Sequence, residues 1–354
     1  MKSSRSDNRL RCRAKLAALG LINLIVLSPA TPAGSAPASS TVNFVLAPVS
    51  VIEVNTTGDE DNLNANAGCD VDANVAGDQC TLRAAIQRAN AVAGDDTIVF
   101  NIPSSQANCD AGGKCTVFLK KALPDLSTNV SLLGPGAAKL SVSHDLLLST
   151  PFRIFNVTTA ALVIFSGISI ERGDAGSDVG GGINNAGSAT INVNECSIFA
   201  NRAAQGGGIF NLAGTLNLSN SRLTFNTANS EGGGFYNAGA GNVTIVSTFF
   251  LGDQAGGNGG AIHNNGAGTV NVTNSSFFQN VAGFSVTSAR GGGVMNAGAG
   301  ALKVSNSTFL TTELTRPHPS GRRAVASPAP RQSKSTIVAF RGPLTATWSQ
   351  MWTV

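Results

Sequence analysis

Gly206-Gly207-Gly208-Ile209-Phe210-Asn211 belongs to a hexapeptide that occurs, with small changes, five times in the chain. The other copies are Gly180-Gly181-Gly182-Ile183-Asn184-Asn185, Gly232-Gly233-Gly234-Phe235-Tyr236-Asn237, Gly259-Gly260-Ala261-Ile262-His263-Asn264 and Gly291-Gly292-Gly293-Val294-Met295-Asn296. The closing Asn residues are 26 to 32 positions apart. A period of this length is typical of solenoids and other repeat arrays.

A second phrase recurs about halfway between the glycine-rich copies, as in Asn220-Ser221-Arg222-Leu223-Thr224-Phe225. A short stretch such as Thr190-Ile191-Asn192-Val193 precedes each copy, and its alternation of polar and apolar residues is typical of a β-strand. Each unit therefore holds about three short strands, with Gly and Asn at the corners. This pattern predicts an all-β protein, a right-handed parallel β-helix in which each strand pairs with its copy one coil away.

The closing Asn residues of the repeats are candidates for a structural ladder. Stacked in register, their amides would hydrogen-bond from coil to coil, and a column of apolar residues would stack two positions earlier. The ladder residues are Asn185, Asn211, Asn237, Asn264 and Asn296, and the apolar column is Ile183, Ile209, Phe235, Ile262 and Val294. The alternative is that these Asn residues bind a ligand.

The charge of the chain is unevenly distributed. The formal net charge is +4, but residues 39–311 carry 12 basic and 18 acidic side chains. An acidic body that is poor in charge offers no basic stripe for nucleic acid, so we expect no nucleic-acid partner.

Residues 1–38 resemble a secretory signal peptide. Six Lys and Arg residues precede or border an apolar run over 16–27, and Ala36-Pro37-Ala38 matches the small-x-small cleavage pattern. The apolar run is too short for a comfortable membrane span, so we expect no transmembrane segment after cleavage. The predicted location is secreted or on a bacterial cell surface.

Export changes the interpretation of the cysteines. Cys69 and Cys80 bracket one short loop and Cys109 and Cys115 bracket another, so each pair can close as a local disulfide in an oxidising compartment. Cys196 is left over as a small buried residue of a coil wall. The alternative is that all of these thiols are reduced.

Residues 39–101 form a predicted N-terminal segment with a strand, an acidic loop and a helix. Thr81 can cap that helix. Its apolar stripe consists of Leu82, Ala85, Ile86 and Ala89. We expect the helix to cover the open end of the solenoid, because an uncapped β-helix exposes strand edges.

Two sequence patterns resemble known bacterial proteins. Cys80-Thr81-Leu82-Arg83-Ala84-Ala85-Ile86, followed by Asp96-Thr97-Ile98-Val99-Phe100, resembles the CSLREA-type segment at the start of many secreted β-helix proteins. The Gly-Gly-x-Ile-x-Asn and Asn-Ser-x-Phe phrases resemble the repeats of polymorphic outer-membrane proteins, a family of surface adhesins and autotransporter passengers. Ala84 replaces the family's Glu, which removes one reciprocal capping bond. The resemblance implies an extracellular scaffold.

A metal site is possible in the acidic loop. Asp70-Val71-Asp72-Ala73-Asn74 has the alternating oxygen ligands of a Ca²⁺ loop, and Asp59 and Asp61 lie nearby in sequence. Val75 and Thr81 stand where an EF-hand needs Gly and Glu, so that loop type is excluded. The prediction is a solvated acidic loop and no cofactor, and the alternative is a weak extracellular Ca²⁺ site held by the disulfide loop.

The acids of the repeats do not form a catalytic pattern. Asp174, Asp178, Glu195, Glu231 and Asp253 occupy different phases of the coil. A pectate-lyase-like enzyme needs carboxylates that converge, and His263 lacks such partners. We therefore expect no catalytic residue, and we favour a non-catalytic function over an enzyme without deciding between them. The expected function is an adhesin-like scaffold that binds polysaccharides or cell surfaces, and the alternative is a polysaccharide lyase or hydrolase.

The repeat breaks after residue 311. Residues 102–311 are the predicted coils, whereas 312–354 contain no Asn and five of the 13 prolines. Such a segment is typical of a disordered basic tail or of translated out-of-frame sequence, and we favour the second interpretation. A last coil without a proper cap predicts end-to-end self-association.

Overall fold

The fold is a parallel β-solenoid. The computed structural model describes residues 50–159, 161–286 and 289–310, and the backbone of Glu313–Leu314. These described residues form four parallel sheets that run along the solenoid, and one helix. The parallel β-helix predicted from the repeat is confirmed. The predicted signal peptide and nearly all of the predicted tail lie outside the described residues.

Each sheet collects one strand from each successive coil. Sheet A has nine strands: Ser50–Val54, Asp96–Phe100, Val130–Leu133, Leu162–Ser166, Thr190–Asn194, Thr215–Ser219, Val243–Val246, Val270–Thr273 and Leu302–Ser305. Sheet B has eight: Cys115–Leu119, Leu140–His144, Ser169–Glu171, Ser197–Phe199, Arg222–Thr224, Phe249–Leu251, Ser276–Phe278 and Thr308–Leu310. Sheet C has six: Phe155–Val157, Ile183–Asn185, Ile209–Asn211, Phe235–Asn237, Ile262–Asn264 and Val294–Asn296. Sheet D has five short strands: Arg202–Ala203, Thr227–Ala228, Gln254–Ala255, Val281–Ala282 and Glu313–Leu314.

One coil visits the sheets in the order A, B, D, C. A single residue with positive φ makes each of three corners: Glu195 at +53°, Ala200 at +54° and Gly206 at +60° in one coil. The Asn-Ser phrase of the sequence therefore turns the chain into sheet B, and the glycine-rich phrase turns it into sheet C. Asparagine makes the first corner in three coils and glycine makes the third corner in all five, because these residues tolerate the left-handed region best. The second corner is made by residues of varied type, including Ala200 and Phe225.

The second and third glycines of each triplet serve close packing between coils. A Cβ atom on Gly207 would lie 2.5 Å from the carbonyl oxygen of Thr227, and one on Gly208 would lie 2.5 Å from that of Gly234. Real Cβ atoms do not approach so closely, so glycine at positions 207 and 208 lets these coils stack, whereas the fourth copy carries Ala261 at the third position.

The core is a set of stacked columns inside the coils. Ile183, Ile209, Phe235 and Ile262 pair in register and are fully buried. Phe250, Phe277 and Phe309 form a second column with ring centroids 4.7 and 4.4 Å apart. Burying each such side chain contributes about 1.5–3 kcal/mol.

The helix Leu82–Ala91 closes the first coils. The Thr81 hydroxyl accepts a hydrogen bond from the Ala84 amide at 3.0 Å, as predicted for its cap. The helix packs against Ser50–Val54 and Asp96–Phe100, which are themselves the first two strands of sheet A. The N-terminal segment is thus continuous with the solenoid.

Both predicted disulfides are present, Cys69–Cys80 and Cys109–Cys115. Cys196 is a buried free thiol, and burial raises its pKa to about 11. At the other end of the described chain, Glu313–Leu314 pairs with Val281–Ala282, so sheet D continues past residue 311.

Candidate binding face

The closing Asn residues form a hydrogen-bonded column inside the solenoid. Side-chain amide nitrogens donate to the next amide oxygen as follows: Asn185 to Asn211 at 2.8 Å, Asn211 to Asn237 at 2.9 Å, Asn237 to Asn264 at 2.8 Å and Asn264 to Asn296 at 2.6 Å. Four of these amides also donate to a nearby backbone carbonyl, as Asn211 does to Gly214 at 2.7 Å. These contacts give the ladder a structural role.

Two of the predicted Ca²⁺ ligands are engaged by cations of the protein. Asp59 forms an ion pair with Arg83 at 2.9 Å, and the two side chains are 1% and 2% exposed. Asp61 accepts a hydrogen bond from Lys121, which lowers the pKa of its carboxyl group. Their oxygens therefore stabilise the junction between the helix and the first coils.

The other three predicted ligands shape their own loop. The Asp70 carboxylate accepts from the amides of Asp72 and Gln79, at 3.1 and 3.3 Å, and Asp72 accepts from the amide of Asn74 at 2.9 Å. Over the described residues, no three His, Cys, Asp or Glu side chains form a group that could hold a metal ion. The structure thus does not bring the candidate ligands together.

The acids of the repeats occupy separate environments. Asp178 pairs with Arg153, Glu195 is exposed at a corner, and Asp253 is completely buried. Glu231 accepts a hydrogen bond from Gln205 at 3.0 Å, and its charge acts on His263. Glu231 is thus an acidic neighbour of His263, the histidine of the repeats.

His263 belongs to a packed column on the outside of sheet C. The column pairs Phe210, Tyr236 and His263 in register, with ring centroids 5.4 and 5.1 Å apart, and these residues are only 7%, 5% and 3% exposed. Burial lowers the pKa of His263 and raises that of Tyr236, so both rings are neutral at neutral pH. Sequence reasoning missed this column, because the equivalent residues of the repeats, from Asn184 to Met295, share no common chemistry.

The outside of sheet B is different, because part of it is open. We define the outer face of sheet B as the outward side chains of its eight strands, which alternate with buried inward residues such as Ile198 and Phe250. They form two rows in register: Thr116, Ser141, Ser169, Ser197, Arg222, Phe249, Ser276 and Thr308, and Phe118, Ser143, Glu171, Phe199, Thr224, Leu251, Phe278 and Leu310.

The first half of this face is polar and partly covered. Glu171 accepts a hydrogen bond from Ser169 at 2.7 Å and lies 3.1 Å from the Lys114 ammonium group and 4.0 Å from the Arg172 guanidinium. Burial acts to raise the pKa of Glu171, but the hydrogen bonds from Ser169 and Lys114 outweigh burial and hold it below its ordinary value. Glu171 is therefore ionised at neutral pH.

A cleft of about 590 Å³ adjoins this polar half. Phe118 of the outer face, Arg172 at the following corner, Lys120 and Asp145 contribute to its walls. Leu147 also lines the cleft and is 92% exposed. The cleft thus combines charged groups of both signs with apolar surface.

The second half of the face presents phenyl rings to solvent. Phe199, Phe249 and Phe278 are half-buried, and the corner residue Phe225 is 52% exposed. The rings of Phe199 and Phe225 stand at 90° with centroids 6.1 Å apart. Exposed Arg222, Ser276 and Thr308 lie in the neighbouring row.

Sheet A offers a useful contrast. Its outward positions in the corresponding coils are mainly Asn, Thr and Ser, and Asn217 donates to Asn192 at 2.8 Å. Among the strands of the described repeats, the outward aromatic rings that remain partly open thus lie on sheet B, whereas Phe284, 42% exposed, follows the sheet D strand Val281–Ala282. The sequence carried a signal for them, since Phe249-Phe250 and Phe277-Phe278 place one ring inside and one outside.

Comparison of the chain with family models, with curated proteins and with solved structures finds no match. In the part of the chain that the structure describes, no helix has the length and apolar character needed to cross a membrane.

Proposed function

We propose that this protein is a non-catalytic, adhesin-like scaffold outside the bacterial cell that binds an extended polysaccharide along the outer face of sheet B. The observation that carries the proposal is the run of outward Phe residues beside Ser, Thr and Arg on one continuous sheet. With strands about 4.8 Å apart, the five strands from Ser197–Phe199 to Thr308–Leu310, whose outward residues are largely open, span roughly 19 Å, enough for several sugar units.

The chemistry of the face suits a sugar chain. A sugar ring has an apolar C–H side that stacks on phenyl rings such as Phe249 and Phe278, and aromatic side chains are efficient binding groups. Its hydroxyl groups can bond to Ser276, Thr308 or the Arg222 guanidinium, which provides several donors. The parallel coils place successive outward side chains of a row about 4.8 Å apart, although the residue type changes from coil to coil.

An extracellular location agrees with two further features. The disulfides Cys69–Cys80 and Cys109–Cys115 persist in oxidising compartments and are rare in the cytosol. The sequence of residues 1–38 supports export.

The test is affinity electrophoresis in gels that contain neutral or acidic polysaccharides. The double variant Phe249→Ser/Phe278→Ser removes two outward rings and leaves the inward Phe250 and Phe277 intact. We expect at least one polysaccharide to retard the wild-type protein, and the variant to lose that retardation. The matched control is Thr244→Ala/Asn271→Ala on the outer side of sheet A, which is expected to bind like the wild type.

Equal retardation of all three proteins, or of none, would contradict binding at this face. A separate assay measures the release of reducing ends or unsaturated sugars. Product release that is abolished by Glu171→Gln would replace the scaffold with a polysaccharide lyase or hydrolase, because Glu171 is the ionised carboxylate on the same face.

A further inference from the structure

A second polar ladder runs through the solenoid at the corner between sheets B and D. It consists of Asn201, Asn226, Asp253 and Asn280, all of which are 0–1% exposed. Each lies three positions after the inward residue of its sheet B strand. The column thus contains one acid among three amides.

The oxygen atoms of the ladder are used in the same way in each coil. Asn226 Oδ1 accepts from the backbone and side-chain nitrogens of Asn201 at 3.0 and 3.1 Å. Asp253 Oδ1 accepts from the same two nitrogens of Asn226 at 2.8 and 2.9 Å. Asn280 Oδ1 accepts from the Asp253 backbone amide at 3.0 Å. Asp253 Oδ1 therefore fills the position of an amide oxygen.

The amide nitrogens of the ladder share a second partner, the carbonyl oxygen of the inward sheet B residue one coil earlier. Asn201 donates to Ile170 at 3.0 Å, Asn226 to Ile198 at 3.0 Å and Asn280 to Phe250 at 3.2 Å. By register, the equivalent carbonyl for Asp253 is that of Leu223. Asp253 Oδ2 is buried without a hydrogen-bond partner. An ionised oxygen would face an acceptor there, whereas a protonated oxygen could donate.

The surroundings of Asp253 are neutral. Asn226 and Asn280 contact it from the coils before and after, and a Cβ atom on Gly234 would lie 2.9 Å from its Oδ2. Among the described residues, no titratable side chain forms an ion pair with Asp253 or shifts its pKa through a charge. Burial is the main influence and raises its pKa to about 8.

We propose that Asp253 is a neutral carboxylic acid in the folded protein, that its Oδ2 proton replaces the missing amide proton by bonding to the Leu223 carbonyl, and that the solenoid is therefore more stable in mild acid than in mild alkali. The direction in which stability changes with pH follows from proton linkage. An unfolded Asp loses its proton near pH 3.9, about four pH units before the folded one does. The stabilising effect is complete below about pH 4 and is lost as the pH rises to about 8.

The experiment compares the denaturation midpoint of the wild-type chain and of Asp253→Asn across this pH range. The Asn variant restores the amide donor, so its midpoint should match the wild type near pH 4 and exceed it by a growing margin up to about pH 8. The control is Glu195→Gln, which removes an exposed carboxyl group. The difference between the denaturation midpoints of Glu195→Gln and the wild type should not grow between pH 4 and pH 8.

A constant difference between Asp253→Asn and the wild type at all pH values would overturn the proposal, as would a lower midpoint for the variant near pH 8. If Asp253→Asn does not fold, the number of protons released when the wild-type protein unfolds tests the proposal instead. Unfolding the wild-type protein in weak buffer near pH 7.5 should release most of one proton, because an unfolded histidine is largely neutral there. Absence of that release would contradict a protonated Asp253.

Discussion

The Asn237 side chain forms hydrogen bonds that connect three successive coils. Its Oδ1 accepts from Asn211 at 2.9 Å, and its Nδ2 donates to Asn264 at 2.8 Å and to the Gly241 carbonyl at 3.4 Å. The residue is completely buried. A buried polar group that loses its partner costs more than the hydrogen bond itself contributes, so a ladder tolerates no gap.

Asn237→Ala should therefore destabilise the fold by about 1 to 3 kcal/mol, because it leaves the amides of Asn211 and Asn264 without their partner. Thermal or denaturant unfolding of the full chain measures the loss. Asn271→Ala is the matched control, since Asn271 is an outward residue of sheet A, and it should have little effect. An equal loss in both variants would mean that the ladder contributes no more than an outward amide.

At the scale of an element, the glycine-rich corner shows what each of the three glycines contributes. Gly206 supplies a positive φ of 60°, while Gly207 and Gly208 lie against the backbone of the next coil. The third glycine also touches the second ladder, since a Cβ atom on Gly208 would lie 3.1 Å from Asn226 Cγ. The glycine-rich corner and the buried ladder are thus in close contact in this coil.

Gly208→Ala should lower the unfolding free energy by about 1 to 3 kcal/mol, the usual range for overpacking, because backbone must move to admit the methyl group. Gly68→Ala is the control, since a Cβ atom there meets nothing within 4 Å. Denaturant titration of both variants checks the difference. A Gly208→Ala protein as stable as Gly68→Ala would contradict the close approach of the coils.

The N-terminal helix depends on one buried ion pair. Arg83 binds the Asp59 carboxylate and donates to the carbonyls of Lys121 and Ala122 at 2.8 and 2.6 Å. The backbone amide of Lys120 also donates to Asp59 at 2.7 Å. The ion pair therefore joins the helix, the acidic loop and the segment 120–122, which follows the first strand of sheet B.

Arg83→Met should destabilise the protein by about 3 to 5 kcal/mol, because it leaves the Asp59 charge buried and unpaired. Adding Asp59→Leu should recover part of this loss, since no charge is then buried. Denaturant unfolding of the single and double variants gives the coupling between the two residues. If the double variant is destabilised by the sum of the two single effects, the ion pair does not act as a unit.

At the scale of the whole molecule, each coil contacts chiefly its neighbours, so local changes act close to where they occur. Both disulfides lie in the first coils, and Cys80 of the first pair directly precedes the helix cap Thr81, whereas Cys196 of the repeats is free. The N-terminal end is therefore covalently secured, and the repeats depend on ladders and columns.

Cys69→Ser/Cys80→Ser should weaken the N-terminal coils by about 2 to 4 kcal/mol, because the cross-link restricts the unfolded chain. Hydrogen exchange should then rise within residues 50–100 and remain unchanged over 183–264. Cys196→Ser, which changes a buried free thiol, is the control and should leave exchange at 50–100 unaltered. Faster exchange spread evenly along the chain would contradict the independence of distant coils.

Much of the architecture could be predicted from the sequence because each coil of a solenoid has a similar residue pattern. The 26- to 32-residue spacing predicted the parallel coils, and the alternation around Ile191 and Val193 predicted which residues lie inside. The disulfide pairs and the Thr81 cap were also predictable, because each depends on residues close in sequence. The sequence alone thus determined the fold and the register of its coils.

Only the tertiary structure decided which outward residues are open. Tyr236 and Phe249 both point away from the core, yet Tyr236 is buried in a column on sheet C and Phe249 remains accessible on sheet B. It also brought Arg83 to Asp59 and placed Asp253 among buried amides. Such outcomes depend on neighbours from other coils and from distant loops, and a period along the chain does not specify what covers its outer side.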